Sequence, residues 1–352
     1  MSIFSISGIR ISGLAACVPQ NRERTADYDW MPEKERKMFE KTVGISQRSV
    51  GLANHTTSDW CYAAADQLLN DLQWNRNEVD LLVFISQSPD YFLPATGIIL
   101  QGKLGLPNTC MAFDINLGCS GYVYGLATVA GMMRETGMKK ALLLVGDKTT
   151  TSVAYKDKST YPLFGDAGTA TALVLDDAAP EMVFNLQTDG SRYTALIVPE
   201  DATRTPRNEN TYVETEVAPG IIRHQRNLAL DGVSVFNFSI NEVPINIADT
   251  MAAAHKTEAD YDYMVLHQAN KLMTEQIRKK LKFPPEKVPY SINDFGNTSS
   301  ASVPLTIVHK LREAITTGKH QMLLSGFGVG LSWGTVSMAL DTIVCPPLLE
   351  IS

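Results

Sequence analysis

Cysteine is scarce in this chain and follows no pairing pattern. Five occur among 352 residues, at positions 17, 61, 110, 119 and 345, with no CxxC spacing. That excludes a thiolate-built zinc site and a disulfide framework, and an odd count without an extracellular signature points to free thiols in a reducing cytoplasm. An excess of positive charge is also missing. Lys and Arg number 31 against 38 Asp and Glu, a formal net charge of -7, which argues against a nucleic-acid surface. No stretch approaches the roughly 20 apolar residues that a bilayer span needs. Leu14-Ala15-Ala16-Cys17 has the form of a lipoprotein cleavage box, yet Arg10 interrupts the apolar run and Gly8 and Gly13 break it. A first β-strand is the better reading.

What the chain does have is material for a core. It is 44% hydrophobic and 20% charged, and its length allows two domains or one doubled one. Apolar runs alternate with helical patterns. Strands are expected at 80–85, 111–115, 141–145 and 169–175, with helices at about 58–72 and leading into Leu104, which makes an α/β fold. Residues 25–49 are charged and helix-like, with Trp30, Met31, Met38 and Phe39 as the apolar side.

The chain is organised around Asp114 to Glu135. A strand runs into the turn Gly118-Cys119-Ser120-Gly121, after which Val123, Leu126, Ala127, Ala130 and Met133 recur at helical spacing. Cys119 therefore stands at the mouth of a helix, where unpaired N–H groups and the positive end of the dipole are expected to ease loss of its proton. A nucleophilic Cys calls for His and Asn partners. Of six His, His267 ends the apolar run 263–266 and opens a helix-like segment, 268–281. Asn297, in NDFGNTSSASVPLTI, also follows a short strand and precedes a helical run.

An internal repeat connects these positions. Residues 80–147 match 262–328 in order and spacing, and the Gly118-Cys119 turn falls on Gly296-Asn297. Two such halves, 1–178 with the Cys and 179–352 with the His and Asn, would bring three strand-to-helix junctions into one pocket.

LGCSGYVYGL, LHQAN, FGNTSSASVPL and GFGVGLSWG resemble, in order and in place, the motifs of the β-ketoacyl-acyl carrier protein synthase III family of the thiolase superfamily. The resemblance implies a duplicated, five-layered α/β/α/β/α thiolase-like fold and a homodimer. The implied reaction is a decarboxylating Claisen condensation of an acyl thioester with a malonyl-acyl carrier protein, without metal or other cofactor. It also implies that Cys119 takes the acyl group, that His267 and Asn297 stabilise the enolate, and that the backbone N–H groups of Cys119 and Val329 form the other oxyanion hole. The family usually has Gly where Val329 stands. Leu93, before Pro94, is expected to cross to the partner subunit and close its acyl pocket. Phe327 and Lys158 are expected to contact substrate, and Lys271, Arg278 and Lys279 to dock the acidic carrier. A degradative thiolase would place a second Cys in a C-terminal Gly-rich turn, and GFGVG has none.

Two alternatives stand beside this reading. One is a related condensing enzyme of surface-polysaccharide or secondary-metabolite synthesis, favoured by the long polar segment 192–230; the other is a catalytically silent binding module. The family also sandwiches adenine between a Trp shortly before a Gly-Ile dipeptide and an Arg ahead of the FGD motif. The matching stretch 37–45 has no Trp, and Lys158 stands before Phe164-Gly165-Asp166. The expectation is a coenzyme A affinity lowered by about 10- to 100-fold and a carrier-bound or unusual priming donor, with Phe39 or Tyr155 as the available substitutes.

Overall fold

The computed structural model describes residues 3–352. Eleven strands build two sheets: β1 (Ile3–Ile6), β2 (Ile9–Pro19), β3 (Leu81–Ile85), β4 (Met111–Ile115), β5 (Lys140–Asp147), β6 (Ala167–Leu175), β7 (Met182–Thr188), β8 (Tyr263–Leu266), β9 (His320–Gly328), β10 (Ser332–Leu340) and β11 (Leu349–Ile351). The six-stranded sheet has the order β11-β2-β6-β5-β3-β4, and the five-stranded sheet β1-β7-β10-β9-β8. Strand β3, LLVFI, is buried at every position. A continuous apolar run without alternation is what a strand needs when helices cover both faces of its sheet.

Six helices provide those covers: α1 (Thr57–Asp71), α2 (Thr96–Lys103), α3 (Gly121–Thr136), α4 (Gly232–Ala253), α5 (Lys271–Lys280) and α6 (Ser302–Thr317). Helices α1 and α2 pack on the six-stranded sheet, and α4 lies on the five-stranded sheet with α5 against it. Helices α3 and α6 touch both sheets and form the central layer, which completes α/β/α/β/α. A helix between two sheets must be apolar all round; α3 buries Tyr122, Val123, Leu126, Ala127, Val129, Ala130 and Met133.

The repeat is visible as β3, α2, α3, β5 and β6 against β8, α5, α6, β9 and β10. One strand is missing from the second half. Where the first half has β4, the second has the stretch 288–291 and a helical turn, Ile292–Phe295; Pro289 removes a ladder donor there. The chain ends cross between halves: β1 pairs with β7 in the five-stranded sheet, and β11 pairs in parallel with β2 in the six-stranded one. Position 178 falls in the turn between β6 and β7. Among the described residues no helix is long and apolar enough to cross a membrane.

Two stretches differ from the sequence reading. Within 25–49 the α-helix covers only Glu33–Val43, with a 3-10 turn at Thr25–Asp27 and Trp30 ahead of the helix. Helix α5 starts at Lys271, not 268, because the Asn270 side chain caps it by accepting the N–H of Met273.

Candidate active site

Strand β4 ends at Ile115, and the chain turns through residues 116–120 into α3, placing Cys119 at 5% exposure. Facing it is the turn after β9. A Cβ on Gly328 would stand 2.7 Å from the Cys119 sulfur, so only Gly allows this approach. The backbone N–H groups of Val329 and of Cys119 itself, and the Ser299 hydroxyl, favour the ionised sulfur. Even so, burial pushes the thiol up to about 11, with the negative charge of Asp147 adding to the rise. The eased ionisation expected from a helix mouth is thus overturned, because removing a thiolate from water outweighs the few donors that face it.

His267 follows β8 and is 1% exposed. Its backbone N–H donates to the Ser325 carbonyl at 2.8 Å, and its Nδ1 lies 2.6 Å from the Ser302 hydroxyl at the start of α6. Burial drives it down to about 3, an effect that the Ser299 carbonyl offsets only in part. The ring is neutral at physiological pH.

Asn297 is held by its backbone, with its N–H on the Leu163 carbonyl at 2.8 Å and its carbonyl accepting from Gly165 at 3.0 Å. The preceding Gly296 has φ 73°, in the left-handed region that Gly occupies without strain. The side-chain Oδ1 accepts the N–H of Ser299 at 2.9 Å. That contact fixes the amide orientation and leaves the NH2 group to donate.

Cys119, His267 and Asn297 line one cavity of about 70 Å3, with Phe327, Gly328 and Asn270. The Phe327 ring meets His267 edge-on at 5.5 Å. Cys119 also lines a second cavity of about 420 Å3, whose wall includes Asp147, Lys148, Phe164, Leu196, Ser299 and Val329. The segment 192–230 forms part of that wall through residues 196–202, Arg226 and Leu228.

Other expected residues lie elsewhere. Leu93 is 83% exposed and lines neither cavity, whereas its neighbour Phe92, 92% exposed, borders the larger one. Lys158 pairs with Glu35 at 3.4 Å and lines a third cavity, about 280 Å3, with Trp30 and Lys156. Trp30 packs edge-on against Tyr155 at 5.9 Å. Trp30 thus stands beside Lys158 although it lies outside the stretch 37–45, with the helix Glu33–Val43 between it and Gly44-Ile45. Arg278 is not free for docking. Its guanidinium holds Glu275 at 2.8 Å and the Phe283 carbonyl at 2.6 Å, while Lys271 and Lys279 are exposed.

The sequence reading missed Asp147, Ser299 and Ser302. Their signal is faint: Asp147 ends an apolar strand in VGDKTT, and the two Ser lie in the run after Asn297.

Comparison with known proteins places these features in a family context. The family model of 3-oxoacyl-[acyl-carrier-protein (ACP)] synthase III matches residues 113–190, and that of its C terminal matches 251–340. The beta-ketoacyl-[acyl-carrier-protein] synthase III of Neisseria meningitidis is 31% identical over 328 residues, 93% of this chain and 98% of its own. The crystal structure of a 3-oxoacyl-(acyl-carrier protein) synthase from Burkholderia xenovorans superposes with a TM-score of 0.94 at 34% identity, covering 99% of each chain. The 3-oxoacyl-(acyl carrier protein) synthase III of Pseudomonas aeruginosa gives 0.82 at 27%, covering 96% of this chain and 99% of its own.

Proposed function

This chain belongs to the β-ketoacyl-acyl carrier protein synthase III family of condensing acyltransferases, and from that premise we propose that it joins an acyl thioester to malonyl-acyl carrier protein through an acyl-Cys119 intermediate. The carrying observation is that Cys119, His267 and Asn297 line one cavity.

Each residue has a role that its surroundings support. Cys119 attacks the acyl thioester, and the N–H groups of Cys119 and Val329, which favour the ionised sulfur, receive the oxyanion. Malonyl thioester then occupies the small cavity. Loss of carbon dioxide puts negative charge on the thioester oxygen, and two fixed donors meet it. One is the Asn297 NH2 group, since its Oδ1 is occupied by Ser299. The other is Nε2–H of His267. Among the described residues the Ser302 hydroxyl has no partner besides Nδ1, so a protonated Nδ1 would leave a buried hydroxyl hydrogen unpaired, a penalty of about 1–3 kcal/mol. With the hydroxyl donating to Nδ1, the proton of the neutral ring resides on Nε2. Each donor in such a dry site is worth about 3 kcal/mol to the transition state. No step calls for a metal or a redox group.

Lys271 and Lys279 offer positive charge to an acidic carrier on an otherwise acidic protein. Trp30 with Lys156 and Lys158 offers a surface for an adenine nucleotide. The exposed side chains Tyr91, Phe92 and Leu93, at 63%, 92% and 83%, together with the edge strand β4, support a homodimer in which this loop enters the partner.

A second reading concerns the pathway. Glu200, Asp201 and Arg226 on the wall of the larger cavity favour a specialised acyl group over a plain hydrocarbon. The test of the main reading is Cys119→Gln, which should stop condensation yet retain malonyl decarboxylation. Loss of both activities in the folded variant would remove the separate role given to His267 and Asn297.

A further inference from the structure

Two short strands, Arg22–Arg24 and Gln47–Ser49, pair antiparallel outside the two main sheets, and Glu23 stands directly opposite Arg48. Arg48 is 1% exposed. A guanidinium does not shed its charge in a protein, so a buried one needs an acceptor for each of its nitrogen atoms. Nη2 donates to the Glu23 carboxylate at 2.6 Å, Nε to the Tyr28 hydroxyl at 2.8 Å and Nη1 to the Phe164 carbonyl at 2.8 Å. The Tyr161 ring covers Cζ at 4.1 Å, and its hydroxyl donates to the same carboxylate at 3.1 Å. Arg48 lines none of the three cavities described above.

Its contact with Phe164 leads to the site. The Phe164 carbonyl and the Gly165 N–H belong to one peptide group, and that N–H donates to the Asn297 carbonyl at 3.0 Å. Asn297 donates its own N–H to the Leu163 carbonyl at 2.8 Å, which pairs Phe164 with Asn297 in a parallel bridge. A charged donor on the carbonyl polarises the peptide and strengthens the bond that its N–H gives. The Arg48 stem also borders this turn: a Cβ on Gly296 would stand 3.0 Å from the Arg48 Cβ. Ser49 anchors the next residue independently, since its carbonyl accepts the Asp166 N–H at 2.9 Å and its hydroxyl donates to the Asp166 carbonyl at 2.7 Å.

We propose that Arg48 is a positioning residue for decarboxylation. It fixes the Phe164-Gly165 peptide and, through it, the Asn297 backbone, so that the Asn297 amide meets the thioester oxygen as negative charge develops there. A buried ion pair contributes little net stability; what this one supplies is a fixed direction for the peptide that holds Asn297. Cys119 is carried by β4 and α3, and none of the three acceptors of Arg48 lies on either element, so acylation does not depend on it. The proposal rests on the reading that Asn297 donates to the enolate oxygen.

The experiment measures malonyl decarboxylation and single-turnover acylation of Cys119 separately in Arg48→Lys, Asn297→Ala and the double variant. Lys keeps the charge opposite Glu23, but a single ammonium does not serve three acceptors in a fixed fork. Arg48→Lys should lower kcat for decarboxylation about 10-fold or more, with the KM for malonyl-acyl carrier protein and the acylation rate within about threefold of wild type. Because Arg48 acts through Asn297, the double variant should be no slower than Asn297→Ala alone. If Arg48→Lys does not fold, Arg48→Met combined with Glu23→Gln removes the pair without leaving a lone charge, and the same expectations apply to it. Wild-type decarboxylation in the folded Arg48 variant, an equal loss in both half-reactions, or additive losses on combination with Asn297→Ala would overturn the proposal. Unchanged decarboxylation in Asn297→Ala alone would instead overturn the reading of Asn297 beneath it.

Discussion

The Ser302 hydroxyl stands 2.6 Å from Nδ1 of His267, and this contact decides which imidazole nitrogen faces the cavity. Ser302→Ala should therefore leave acyl transfer to Cys119 intact while lowering malonyl decarboxylation about 10- to 100-fold, part of the loss expected for an oxyanion donor. The ring 15N shifts of His267 should change from the Nε2–H pattern to a tautomeric mixture. Unchanged shifts and rates would show that Ser302 does not set the tautomer.

His267→Ala and Asn297→Ala should separate the two half-reactions. Both are expected to accept an acyl group on Cys119 and to lose decarboxylation by about 10²- to 10³-fold. If neither variant acylates, His267 serves Cys119 and not the enolate.

His267 also couples stability to pH. Its folded value of about 3 lies below the ordinary 6.5, so the unfolded chain binds the proton first. The contribution is complete above 6.5 and is lost as pH falls from there toward 3. Asp166, raised to about 6, acts in the opposite sense, since its folded state holds the proton longer. Urea midpoints of His267→Gln should decline less with acidification than those of wild type. An equal decline would contradict the buried, neutral ring.

Carrier docking through α5 should depend on Lys279 and Lys271 but not on Arg278. Lys271→Glu with Lys279→Glu should raise the KM for malonyl-acyl carrier protein and flatten its salt dependence. Arg278→Glu would instead break the contact with Glu275 and lower thermal stability. An unchanged KM in the double variant would remove α5 from the docking surface.

The loop at Leu93 gives a dimer test. Leu93→Trp should shorten the acyl chains accepted, because the bulkier side chain fills the partner's pocket. Solution scattering that fits a monomer would count against that arrangement.

Much of this site was legible in the sequence because Cys119 and His267 each follow an apolar strand of a doubled pattern, while Asn297 follows a helical turn at the matching place in the second half. Cys119, His267 and Asn297 could be placed at junctions from periodicity together with the internal repeat, and the three residues do line one cavity. Asp147, Ser299 and Ser302 were not legible, since a Ser or Asp in a polar turn has the same local sequence whether it faces solvent or a thiol. Arg278 misled for a related reason: its charge is evident in the sequence, and its pairing with Glu275 three residues earlier is a property of the helix surface. Trp30 was hidden by length. A helix of 11 residues separates it from Gly44, so proximity in sequence does not show that it stands beside Lys158.

The account's central claim is that the acyl group passes through Cys119, and peptide mapping by mass spectrometry after an acid quench tests it most directly. After incubation with acyl-CoA, the peptide containing Cys119 should gain the mass of the acyl group, lose it when malonyl-acyl carrier protein is added, and stay unmodified in Cys119→Ala. Label on any other residue, or condensation at the wild-type rate by Cys119→Ala, would contradict the claim.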